Sequence, residues 1–349
     1  MGSEGSDERV IAGRYRLRAT LGRGGMGVVW RATDQLLGRE VAVKELVTDD
    51  SPSAARARSS RDRTLREARA LAQLRHPHIS VVHDVVEDDE RLYIVMELID
   101  GGSLADRIAA DGPVDAREAA RIGIALLGAL SAAHEAGVLH RDLKPANVLI
   151  ESGSGRVVLT DFGVAQVEGA TTLTESGSFV GSPEYTAPER MSGSGTGPAS
   201  DLWSLGVLLC TSVSGESPFH RDSLGGLLHA VVAAPIRPPA QAGPMLPVVR
   251  GLLERDPERR LDAARAERML RDVLETGRAP ELSRPPRAPR DRLVIALLVA
   301  AMVAAGVSAA LLADGGGGDG DGPPASPKPS TSLSTSVSPS ATGSGNPPE

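Results

Sequence analysis

Cysteine, lysine and aromatic side chains are scarce in this chain of 349 residues. Its single cysteine, Cys210, excludes an intrachain disulfide, so the main domain is expected to fold in a reducing, cytosolic compartment with Cys210 as a buried apolar thiol. Lysine occurs only as Lys44, Lys144 and Lys328, although Lys and Arg together number 38, a bias expected of a GC-rich genome. Aromatics make up 2% of the chain, and Phe162, Tyr185, Trp203 and Phe219 all fall in patterned segments. Met1 to Asp7 holds no apolar run, so no cleavable signal peptide is expected. The formal charge of -7 gives no basis for nucleic-acid binding, while 41% apolar residues suffice for a real core.

Two of the three lysines stand beside chemistry. His140-Arg141-Asp142-Leu143-Lys144-Pro145-Ala146-Asn147 sets a carboxylate, an ammonium and a carboxamide close together between two apolar runs. Asp142 can accept a proton from an attacking hydroxyl, Lys144 can neutralise a transferring phosphoryl group, and Asn147 can offer oxygen to a hard cation. Upstream, Gly22-Arg23-Gly24-Gly25-Met26-Gly27-Val28 joins two extended runs, where glycines bring backbone N–H groups close to phosphate oxygens. The segment after it continues as Val28-Val29-Trp30, a strand, whereas a dinucleotide-binding fold would place a helix there. Glu40-Val41-Ala42-Val43-Lys44 is an alternating strand ending on an ammonium, and Asp161-Phe162-Gly163 follows the short hairpin Val148–Ile150 and Val157–Leu159.

Taken in order, these motifs resemble the protein-kinase family, and Lys144, two places after Asp142, is the form seen in Ser/Thr kinases. The resemblance covers residues 15–275 and is to bacterial eukaryotic-like (Hanks-type) enzymes. It implies an α+β, two-lobed protein-kinase fold: a small antiparallel sheet lobe over residues 15–99 and a larger helical lobe over 100–275. It also implies ATP and Mg2+, with Mn2+ as a substitute, as cofactors, and protein Ser/Thr hydroxyls as acceptors. By the same resemblance Asp142, Lys144 and Lys44 are catalytic, and Asn147 and Asp161 hold the metal. Leu21, Gly22, Gly24, Gly27, Val28, Ala42, Lys44, Glu97 and Ile99 surround the nucleotide, with Met96 as gatekeeper. Glu67, on a helix expected over Arg63–Leu74, is the carboxylate that pairs with Lys44 when the helix is docked. Ser51–Arg63 reads as a polar, mobile insert.

Several further expectations come from the family pattern. Arg141 would lack a partner until a phosphate arrives on the hydroxyl-rich segment between Asp161 and Glu189, where Thr174 and Ser176 are the candidate phosphosites. Ser182 braces Asp142 and Lys144, Glu189 pairs with Arg260 although Leu261 stands where proline is usual, and Asp201 bonds the catalytic-loop backbone. His134, on a helix expected over Ala116–Ala136, reads as a packed or hydrogen-bonded histidine.

Outside this domain, residues 1–14 read as a flexible lead-in and 276–292 as a Pro/Arg-rich linker. Residues 293–313, LVIALLVAAMVAAGVSAALLA, carry no charge; as a helix they are about 31 Å long, matching a hydrocarbon core of about 30 Å. Arginines precede this segment and Asp314, Asp319 and Asp321 follow it, which places the kinase domain in the cytoplasm by the positive-inside rule. Residues 314–349, rich in Gly, Pro, Ser and Thr, are then a disordered extracytoplasmic tail without a folded sensor domain. The expected partners are protein substrates, ATP, the bilayer and a second copy of the chain, brought together for trans-autophosphorylation with Gly306 permitting helix contact. The competing reading is a pseudokinase-like membrane scaffold, whose usual signature, loss of Lys44, Asp142 or Asp161, is missing here.

Overall fold

The computed structural model describes residues 9–24, 27–46, 54–89, 91–163 and 182–278. Strands β1 (Val10–Ile11), β2 (Tyr15–Gly24), β3 (Gly27–Asp34) and β4 (Arg39–Leu46) precede helix α1 (Ala54–Gln73), and β5 (Val82–Asp88) and β6 (Arg91–Glu97) follow it. The six strands make one antiparallel sheet in the order β1-β2-β3-β4-β6-β5. Period-two alternation divides β6 between two cores. Leu92, Ile94 and Met96 pack with Ala68 and Leu71 of α1, whereas Tyr93 and Val95 join Ile11, Tyr15, Val41 and Val43 in a separate cluster.

Two boundaries differ from the sequence reading. Ile11 is fully buried and β1 pairs with β2 (Ile11 opposite Tyr15), so the flexible lead-in stops short of it. A strand of two residues is too short to show alternation. Helix α1 starts at Ala54, within the stretch expected as a mobile insert. Alanine and arginine there favour helix without drawing an apolar stripe, so periodicity registered only the second half.

The chain then passes through β7 (Gly101–Ser103), α2 (Leu104–Asp111) and α3 (Ala116–Glu135), and forms β8 (Val148–Glu151) and β9 (Val157–Leu159), which make a small antiparallel sheet with β7. Helices α4 (Pro188–Met191), α5 (Pro198–Ser214), α6 (Leu224–Val232), α7 (Leu246–Leu252) and α8 (Ala263–Thr276) complete this lobe. Ser103 and Asp106 form a capping box at α2, and Asp115 and Asp262 cap α3 and α8. Helix α5 is buried on every side from Ser200 to Val213, as expected of a helix at the centre of a lobe. Beside it, a Cβ added at Gly123 of α3 would lie 2.8 Å from Leu270 Cδ1 of α8 and 3.2 Å from Leu209 Cδ2 of α5, so glycine sets how closely these helices approach. Cys210, on α5, is buried, and burial pushes its thiol up to about 12. Among the described residues no helix is long and apolar enough to cross a membrane; residues 293–313 lie outside them.

Candidate active site

The first turn of α5 anchors the segment after α3. Buried Asp201 accepts from the backbone N–H groups of His140 and Arg141, each at 2.9 Å, and from His134 Nε2 at 2.8 Å. Burial works to raise the Asp201 pKa, but the hydrogen bonds from the His134 side chain and the His140 backbone outweigh it and hold the carboxyl below its ordinary value. His140 is fully buried, which pushes its pKa down. Its Nε2 donates to Thr160 O at 2.9 Å and its Nδ1 accepts from Asp142 N at 3.3 Å, a pattern that fits neutral imidazole. Arg141, between them, has a left-handed backbone with φ of 67°.

Held this way, the loop presents its polar groups together. Lys144 Nζ donates to Asp142 Oδ2 at 2.7 Å and to Ser182 Oγ at 3.0 Å. Asn147 Nδ2 donates to Asp142 O at 2.7 Å and to Asp142 Oδ2 at 3.2 Å, which leaves the amide oxygen as its unused acceptor. Lys44, on β4, reaches across the cleft to Asp161 Oδ1 at 2.8 Å. Asp161 also has a left-handed backbone, with φ of 58°.

The roof of the cleft comes from the sheet. Gly22 and Gly24 end β2, Gly27 and Val28 begin β3, and residues 25 and 26 of the turn lie outside the described residues. Gly27 sits at φ of 127°, and a Cβ there would fall 1.9 Å from Glu45 O, so no other residue fits. Leu21 is exposed, Ala42 lies opposite Met96, and Glu97 and Ile99 lead out of β6 toward the second lobe. The Glu97 side chain points away from the cleft: it accepts from Val81 N at 2.9 Å and from Arg156 Nη2 at 3.1 Å.

Glu67 departs from expectation. It does not meet Lys44; its Oε1 accepts from Arg141 Nη1 at 3.0 Å. The expectation that Arg141 lacks a partner is corrected by the same contact. The physical reason is charge balance: Lys44 is paired to Asp161, and the Glu67 carboxylate is met instead by the Arg141 guanidinium. Below the cleft, Glu189 of α4 makes a fork-to-fork pair with buried Arg260, at 2.7 and 2.9 Å, and Ser200 Oγ donates to it at 2.8 Å. Thr174 and Ser176 lie outside the described residues.

The residues present fit a magnesium nucleotide. Asp161 and Asn147 offer hard oxygen donors on one side of the cleft, as Mg2+ prefers, and the glycine turn leaves room for phosphate. Among the described residues no three His, Cys, Asp or Glu side chains cluster as a metal site, so the nucleotide phosphates would complete the coordination.

Residues 15–270 match the protein kinase domain family. The chain belongs to that family. It is 40% identical over 249 residues to the serine/threonine-protein kinase PknA of Mycobacterium tuberculosis, covering 70% of this chain and 56% of that protein. It is 37% identical over 284 residues to the serine/threonine-protein kinase PkaA of Streptomyces coelicolor, covering 76% and 51%, and 38% identical over 213 residues to PrkC of Bacillus subtilis, covering 61% and 32%. The chain thus spans about half the length, or less, of the curated relatives it matches. Within the kinase domain, two residues that motif reading passes over touch the site's framework. Arg156 ties the β8–β9 turn to Glu97 and to Pro77 O, and Arg190 donates to Arg141 O. Arginine is so abundant in this chain that neither stands out by type, and both partners are remote in sequence.

Proposed function

We propose that this chain is an ATP-dependent serine/threonine protein kinase of bacterial signalling that phosphorylates protein Ser/Thr hydroxyls and its own activation segment. The observation that carries the reading is the contact set Asp142–Lys144–Ser182–Asn147 facing the Lys44–Asp161 pair. Asp142 orients the acceptor hydroxyl and takes its proton. Lys144 offsets the charge that develops on the transferring group, and Lys44 holds the α- and β-phosphates once it leaves Asp161. Asp161 and Asn147 would hold Mg2+, which when bound spreads the phosphate charge. Glu67 passes from Arg141 to Lys44 as α1 docks, and a phosphate on the segment containing Thr174 and Ser176 takes over Arg141. Incubating the full chain with labelled ATP and Mg2+ beside Asp142→Asn tests this: incorporation at Thr174 or Ser176 that vanishes in the variant is expected, and an inactive wild type that still binds nucleotide would favour a scaffold.

The same proposal includes a single-pass anchor at residues 293–313, with the kinase domain cytoplasmic and residues 314–349 outside the cell. Support comes from the uncharged run and its flanking charges. Protease added to intact cells should clip only the tail. Trans-autophosphorylation then brings two copies together in the bilayer, and a crosslinking experiment that recovers only monomers from membranes counts against this.

A further inference from the structure

We propose that Arg190 is a positioning residue for phosphoryl transfer, holding the peptide plane between Arg141 and Asp142 so that the Asp142 carboxylate meets the acceptor. This rests on the kinase reading above. A peptide unit is rigid, so fixing its oxygen and its nitrogen fixes the Cα that follows. Here the nitrogen end is fixed from within the loop: Asp142 N donates to His140 O at 2.9 Å and lies 3.3 Å from His140 Nδ1. The oxygen end is fixed from outside, by Arg190 Nη1 donating to Arg141 O. Asp201 holds the two preceding N–H groups and so leaves that carbonyl to another donor.

A strong one suits this carbonyl, because Arg141 carries a left-handed backbone, φ 67°, that residues other than glycine adopt uncommonly and at a cost. A guanidinium supplies a charge-assisted bond. Burial pushes the Arg190 pKa down and the nearby Asp201 and Asp142 oppose that, so this cation stands in the field of the catalytic carboxylate. Its own base is firm. Arg190 follows Glu189 in α4, and Glu189 is pinned by Arg260 and Ser200. The same short helix ends the segment that carries Ser182, the residue on Lys144. Arg190 thereby ties the floor that receives the acceptor to the peptide that precedes Asp142, a connection that Lys144, on the carboxylate, and Asn147, on the carboxylate and on Asp142 O, do not make.

The test uses the full-length chain with a Ser/Thr peptide substrate, comparing wild type, Arg190→Gln and Arg190→Lys. A displacement of about 1 Å costs roughly 100-fold in rate, so Arg190→Gln is expected to lower kcat by about 10- to 100-fold. Its KM for ATP should stay within about twofold, since Lys44 and the glycine turn are untouched. Arg190→Lys should recover a large part of the loss, because an ammonium can still donate to the carbonyl as a point charge. Thermal melting of each variant is recorded alongside. A wild-type kcat in Arg190→Gln, or a joint loss of kcat, ATP affinity and melting temperature that Arg190→Lys does not recover, overturns the positioning role. Absence of transfer by the wild type overturns the kinase reading itself, and is told apart by that control.

Discussion

On the helical side of the cleft, Asp201 receives three donors, Glu189 and Arg260 make a two-bonded pair, and Lys144 bridges Asp142 to Ser182. On the sheet side, Lys44 spends its charge on Asp161 and Glu67 spends its own on Arg141. The first set is closed: each carboxylate meets a cation or N–H groups within the same lobe. The second set is exchangeable, because each of its four charges has a different opposite partner in the arrangement the family implies. On the proposed reading, the groups of the loop after α3, anchored by Asp201 of α5, are thus assembled in advance, and control would fall to α1, which packs on the sheet through Ala68 and Leu71 and carries Glu67.

That contrast can be broken most sharply at its fixed end. Asp142→Asn should lower kcat by about 10² to 10⁴-fold without changing nucleotide affinity or melting temperature, measured by steady-state kinetics and calorimetry. Glu189→Ala strands the buried Arg260 guanidinium, and chemical denaturation should show a loss of about 3–5 kcal/mol. At the exchangeable end the two readouts should part company. Glu67→Gln keeps an acceptor for Arg141 but cannot serve Lys44, so activity is expected to fall about tenfold while stability changes by no more than about 1 kcal/mol. Equal losses of both would mean that Glu67 is structural.

The smallest effect concerns pH and lies far from the chemistry. The Asp34 carboxyl is held down to about 2, from an ordinary value of 3.8, chiefly by the Arg14 guanidinium and also by the amides of Leu36 and Leu37. A depressed carboxylate contributes its full stabilisation above the unfolded value, near pH 4, and loses it as pH falls toward 2. The melting temperature should hold down to about pH 4 and then drop, and Asp34→Asn should remove part of that drop along with some stability at neutral pH.

How far the chain could be read in advance follows the range of the interactions. Strand β4 and helix α3 announce themselves through the period that burial imprints on neighbouring residues, and the hairpin of β8 and β9 and helix α5 through short unbroken apolar runs. The loop around Asp142 is legible for another reason: its reacting groups lie within eight positions and their chemistry demands those residue types. The partner of Glu67 is not legible, since Lys44 and Arg141 are both cations and only the placement of α1 decides between them. Arg190 and Arg156 carry no local signal for these contacts, because Arg141 O, Pro77 O and Glu97 are remote in sequence and arginine is common throughout the chain. The start of α1 is a third kind of case, helix by propensity without amphipathicity.

Among the described residues, four other than glycine carry a left-handed backbone: Ala12, Asp89, Arg141 and Asp161. For anyone redesigning this domain to tolerate heat, they are the natural places to try glycine, since such a backbone costs another residue about 1–2 kcal/mol. The two pairs are not equivalent. Relaxing Arg141 or Asp161 would take away the guanidinium on Glu67 or the carboxylate on Lys44, so the stability gained would come out of turnover. Ala12 and Asp89 sit in the β1–β2 and β5–β6 turns, at the two ends of the strand order, and make none of the contacts described in the cleft. Durability and speed can therefore be tuned at separate addresses in this chain, and a stabilised kinase domain should start from those two turns.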